Sequence, residues 1–150
     1  MVKGTLIFVS VLIDTVILIS IVATQLVLAD VAGFGLDVDI GVRIDATLHD
    51  LMGLAIPLGI IVGVSMAIAF AVAWFAHKKI GGNATRWYMA AGFVSVPAGL
   101  LLLKVAMGVT LLAAARTPLG MFLVGLCGLT GGWLFAFLTD RFSRREVSHD

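Results

Sequence analysis

The sequence predicts an all-α membrane protein: a four-transmembrane-helix antiparallel bundle with a short extended or β-like outer loop between helices 1 and 2. Three observations carry this. Hydrophobic residues make up 61% of the 150 and charged residues only 13%, about half the charge of an ordinary soluble domain. The apolar residues fall in runs long enough to cross a bilayer, at about 1.5 Å of rise per residue, and four such runs fill the chain. In the last run, Leu119–Thr139, which carries no charge, Gly125, Gly128 and Gly132 are spaced i, i+3, i+7. They share one helix face, and a face without side chains lets another helix approach backbone to backbone.

The first span covers residues 5–29. Its length argues for a retained helix rather than a cleavable signal segment. It contains Asp14, and at about 100° per residue Ser10, Asp14 and Gln25 point the same way. That polar face is expected to look into the bundle, away from lipid.

The loop at 30–50 holds five aspartates against Arg43 alone. Leu36, Val38, Ile40, Val42 and Ile44 alternate with polar or small residues through Asp37, Asp39 and Asp45, a period of two that predicts a strand. Such a strand needs a pairing partner or the headgroup zone. Asp45 or Thr47 is expected to cap the next helix.

The second span, 51–76, contains Pro57 and a GxxxG formed by Gly59 and Gly63, and ends on Trp74 and Phe75. A turn at 77–86 carries Lys78, Lys79 and Arg86, with Gly81-Gly82-Asn83 to reverse the chain. The third span, 87–115, opens on Trp87-Tyr88 and contains Pro97 and Lys104. Arg116-Thr117-Pro118 turns into the fourth span, 119–139, and a tail at 140–150 carries three arginines. Each proline lies in a P-x-G, which reads either as a relic of duplication or as a recurring kink. Lys and Arg concentrate in the 77–86 turn and the tail. The positive-inside rule therefore puts both termini and that turn in the cytoplasm and the acidic loop outside. The chain reads as a single membrane domain.

Asp14 offers the sharpest chemistry. A carboxylate inside a membrane helix is costly to keep charged. Two readings stand: a proton or cation site, or an interhelical hydrogen bond. Lys104 is its candidate counter-ion, ~9 Å away in depth by helical rise; the other reading has its amine snorkelling to the headgroups. His49 and Asp50 sit at the outer mouth of the second span. A metal or pH-sensing role competes there with helix capping. Asp37 and Asp39 share a strand face, on which a divalent-ion site competes with a plain solvated acidic face, and Arg116 is the candidate cationic partner of this loop. One cysteine, Cys127, excludes an intrachain disulfide and any metal-ligand cysteine spacing. No catalytic constellation, metal site or cofactor motif is read, and the basic tail is too short to argue for nucleic acid.

The segments TLHDL at Thr47–Leu51, ARTPLG at Ala115–Gly120 and GGWLFA at Gly131–Ala136 resemble a group of small bacterial four-helix inner-membrane proteins with no known activity. The resemblance implies four helices and a bacterial inner (plasma) membrane, and it carries over no functional residue. The sequence thus leads to a non-enzymatic accessory or scaffold subunit that packs through glycine-rich faces, with self-association or a larger membrane complex as its partner. The alternative is a small oligomeric transporter or channel using Asp14 and Lys104. A membrane enzyme with an outer His/Asp site is the third reading.

Overall fold

The computed structural model describes residues 2–33, 39–107 and 117–147. Four helices make up this part of the chain: α1 (Val2–Gly33), α2 (Ile40–Ile80), α3 (Ala84–Met107) and α4 (Pro118–Val147). Each contains a segment long and apolar enough to cross a membrane: Gly4–Asp30, Ala55–Ile80, Ala84–Val105 and Pro118–Phe142. Helices are the expected solution, because a helix satisfies its own backbone donors and acceptors where no water can.

No strand occurs among the described residues, and the expected strand is corrected on the part that can be compared. Ile40–Asp45 form the opening turns of α2; residues 34–38, with Asp37, lie outside the described residues. A lone strand leaves its backbone unpaired, whereas joining a helix pairs it at once, and this outweighs the alternating pattern. The expected cap moves as well. Asp39 holds the N-cap position in extended geometry, without a side-chain cap bond, and Asp45 and Thr47 are helical. As a result α2 is 41 residues long, ~60 Å by helical rise.

The α2–α3 turn is narrower than expected, because Lys78 and Lys79 belong to α2 and Arg86 to α3. Gly81 and Gly82 take positive φ angles of 79° and 91°, which glycine adopts without steric cost. The Gly81 N–H donates to the His77 carbonyl at 2.8 Å, closing α2. Asn83 opens α3 by accepting the Thr85 N–H on Oδ1 at 2.9 Å, and the Trp87 indole N–H donates to the Gly81 carbonyl at 3.1 Å.

The three P-x-G segments do not share a role. Pro57 and Pro97 lie inside helices, whereas Pro118 is the first residue of α4, where its missing N–H costs nothing. Thr117 caps that helix: its Oγ1 accepts the Gly120 N–H at 3.0 Å.

The helices pack in a ring, α1 on α2, α2 on α3, α3 on α4 and α4 on α1, which leaves α1 and α3 on a diagonal. Phe8 meets Phe70 while Leu12 meets Gly63; Tyr88 meets Gly132 while Gly92 meets Gly128. The core runs through Val11, Ile19, Leu58, Val62, Met66, Val96 and Val124. Toward the end that carries the α2–α3 turn, four rings, one from each helix, form a cluster. Phe135 lies 4.6 Å from Phe70, 5.2 Å from Tyr88 and 6.5 Å from Phe8, centroid to centroid. These are favourable separations for aromatic pairs, most of them edge to face here.

Candidate functional site

The glycine face of α4 is spent inside the chain. A Cβ on Gly128 would fall on the carbonyl oxygen of Gly92, and one on Gly92 on that of Gly128; a Cβ on Gly132 would meet the Tyr88 carbonyl. Gly125 has the Phe93 ring 3.0 Å from where its Cβ would stand. The partner of this stripe is therefore α3. The sequence reading missed Gly92 as its counterpart, although Gly92 in an apolar run was a visible signal. The GxxxG of α2 splits: a Cβ on Gly63 would stand 3.1 Å from Leu12 Cδ2 of α1, while one on Gly59 would meet nothing within 4 Å.

Ser10, Asp14 and Gln25 do not form the inward face of α1, whose buried polar residues are Thr15, Ser20 and Thr24. The buried face of α1 is Ile7, Val11, Thr15, Ile19 and Ala23; Ser10 is exposed, and Asp14 and Gln25 are half-buried. The cause is local. Ser10 Oγ donates to the Leu6 carbonyl at 2.9 Å, so its hydroxyl needs no partner from the bundle, and the small or β-branched face packs more closely. Thr15, Thr24, Ser95 and Thr130 likewise donate to carbonyls of their own helices at 2.7–2.9 Å.

Lys104 is exposed in the last turn of α3, where a cation complements the helix dipole and its amine can reach the headgroups. It sits across the diagonal from α1, and among the described residues no ion pair joins it to Asp14. At the far end Asp39, Asp45 and His49 are exposed; Arg116 and the side chain of Asp50 lie outside the described residues. No group of three His, Cys, Asp or Glu side chains gathers among the described residues. Cys127 is buried as a small apolar residue.

The two ends of the bundle differ in charge. At the α2–α3 turn, Lys78 lies over the Trp74 ring at 5.2 Å, and Arg141 over the Phe137 ring at 5.8 Å; Trp133 stacks on Phe137 at 5.5 Å. Aromatic rings with cations beyond them are the pattern of a membrane–water boundary. Asp30, Asp39 and Asp45 belong to the opposite end.

Two surface features remain. On α2, Ile40, Ile44, Leu48, Met52, Ile56, Ile60, Val64, Ile68 and Val72 form an unbroken i, i+4 row of exposed apolar side chains. Between α2 and α3 an open groove of about 390 Å³ runs from Ala76 and Trp87 to Ser65 and Leu102, with alanine the commonest residue along its walls. The sequence reading named neither. The row was hidden because its first members were assigned to a strand, and the groove because alanines fill close contacts as often as they border space.

Comparison of the chain with known protein families, with curated proteins and with solved structures finds no match.

Proposed function

We propose that this integral membrane protein is a non-enzymatic accessory or scaffold subunit, an antiparallel four-helix bundle that offers α2 to a second copy or to another subunit of a membrane complex. The observation that carries the reading is the exposed row on α2. Within lipid such a row needs no cover, because lipid tails are as apolar as leucine. The row nevertheless continues past Ala55, where the lipid-crossing segment begins, through Met52, Leu48, Ile44 and Ile40, which are 80%, 50%, 57% and 73% exposed. Covering each of these side chains gains roughly 1.5–3 kcal/mol.

The opposed contact registers along the seams support the antiparallel arrangement. The concentration of Lys78, Lys79, Arg86 and Arg141 at one end supports an orientation with that end, and both termini, in the cytoplasm. The resemblance of TLHDL, ARTPLG and GGWLFA supports a bacterial inner membrane. The transporter or channel reading has less support, since Asp14 and Lys104 stand on diagonal helices. So does the enzyme reading, since His49 and Asp45 are exposed side chains one turn apart on a helix.

The test is the mass of the particle that carries the chain when membranes are extracted under native conditions. A dimer or larger complex that falls apart in Ile44→Asp/Met52→Asp is expected. A single copy alone, at native expression, overturns the proposal. Orientation is read separately in a Cys127→Ala background: a membrane-impermeant thiol reagent added outside should label Asp45→Cys and spare Lys79→Cys, and the reverse labelling overturns the topology.

A further inference from the structure

We propose that the groove between α2 and α3 is a binding site for an anionic phospholipid, with one acyl chain in the groove and the headgroup phosphate between Lys79 and Arg86. The placement of the two cations argues for this occupant. Lys79 follows Val72 and Ala76 by seven and three residues, so it heads the α2 wall. Arg86 precedes Ala90 and Val94 by four and eight, so it heads the α3 wall. Both cations are exposed, and no acidic side chain among the described residues pairs with either.

Depth fits the same occupant. From Ala76 to Ser65 and from Trp87 to Leu102 the walls run ~17 and ~22 Å by helical rise, comparable to one leaflet of a hydrocarbon core ~30 Å thick. The inner end is stopped where the helices close, because a Cβ on Gly99 would fall on Ser65 Oγ. Of the two hydroxyls along the walls, Ser65 lies at the closed inner end and Ser95 Oγ donates to the Gly92 carbonyl at 2.9 Å. The groove therefore presents an apolar bed beneath two positive charges. An acyl chain gains little by leaving bulk lipid for such a bed, so preference between lipids is set by the headgroup. Each basic residue near an anionic surface contributes about fivefold.

Trp87 borders the groove and reports on it. The full-length protein, with Trp74→Phe and Trp133→Phe so that Trp87 is the sole indole, is placed in phosphatidylcholine vesicles containing brominated phosphatidylglycerol or, at equal mole fraction, brominated phosphatidylcholine. The glycerol lipid is expected to quench Trp87 fluorescence in excess of the choline lipid. Lys79→Gln/Arg86→Gln should weaken the preference about 25-fold, two such factors combined, and Lys79→Arg/Arg86→Lys should preserve it. Ala69→Leu/Ala98→Leu, which fills the groove and leaves the cations, should lower quenching by the glycerol lipid to the level of the choline lipid.

Equal quenching by the two lipids overturns the proposal. So does an excess that survives the double glutamine variant, which would be general surface attraction. An excess that survives filling would be headgroup contact without a seated chain, and overturns it too. If neither lipid quenches Trp87, a protein helix covers the groove instead.

Discussion

Helix α3 has two neighbours, and its two seams are built from small residues with opposite results. Against α4 it closes completely: Gly92 and Gly128 sit backbone on backbone, with Gly132 against the Tyr88 carbonyl. Against α2 it closes only at Gly99 and Ser65 and leaves about 390 Å³ of groove bordered by alanines. The difference lies in one carbon. Glycine lets carbonyls of one helix stand where a Cβ would be, whereas alanine keeps the axes apart and fills little of the space it creates. A seam of small residues can therefore be either a close backbone contact or an open groove.

Substitutions in the closed seam should break it most severely. Gly128→Leu and Gly92→Leu put a branched side chain onto backbone that cannot retreat, and each should cost ~3 kcal/mol or more, measured by reversible unfolding of the full chain in mixed micelles. Gly99→Ala meets the Ser65 hydroxyl, which can rotate, and the Ser65 Cβ at 3.0 Å, which cannot. A loss of ~1–2 kcal/mol is expected, and Ser65→Ala should recover part of it; no recovery would place the clash elsewhere. Gly59→Ala has open space around it and should stabilise by ~0.5–1 kcal/mol through helix propensity. In the open seam, Ala98→Leu enters the groove and should change stability by less than ~0.5 kcal/mol; a loss as large as that of Gly92→Leu would erase the contrast between the seams. Smallest of all is the coupling between Asp14→Asn and Lys104→Met. On diagonal helices the two effects should add to within ~0.3–0.5 kcal/mol, and a larger mutual rescue would show that the two charges communicate.

Much of this arrangement was legible before the structure. Long apolar runs mark all four helices, even where Asp14 and Lys104 interrupt them, and the spacing of Gly125, Gly128 and Gly132 marks the face of α4 that closes. Three things were not legible, each for a physical reason. The start of α2 reads as a strand because Ile40, Val42 and Ile44 alternate with polar or small residues, while the same Ile40 and Ile44 fit the i, i+4 row of a helix; only the need to pair the backbone chooses between them. The inward face of α1 reads wrongly if a hydroxyl is assumed to need a partner across the bundle, since Ser10 and Thr15 both bond their own helix and only Thr15 is buried. The groove was invisible because Ala69, Ala73 and Ala90 look the same in sequence as alanines in a closed contact; which they become depends on the neighbouring axis.

The four-ring cluster has a consequence for the order of assembly. Phe8, Phe70 and Tyr88 leave the ribosome before Phe135, and Phe8–Phe70 and Phe70–Tyr88 are already neighbours at 6.2 and 5.6 Å. Phe70 and Phe135 each touch the other three rings. The first three helices are thus already joined through Phe70, and α4, synthesised after them, adds Phe135 and closes the open side of the cluster between Phe8 and Tyr88.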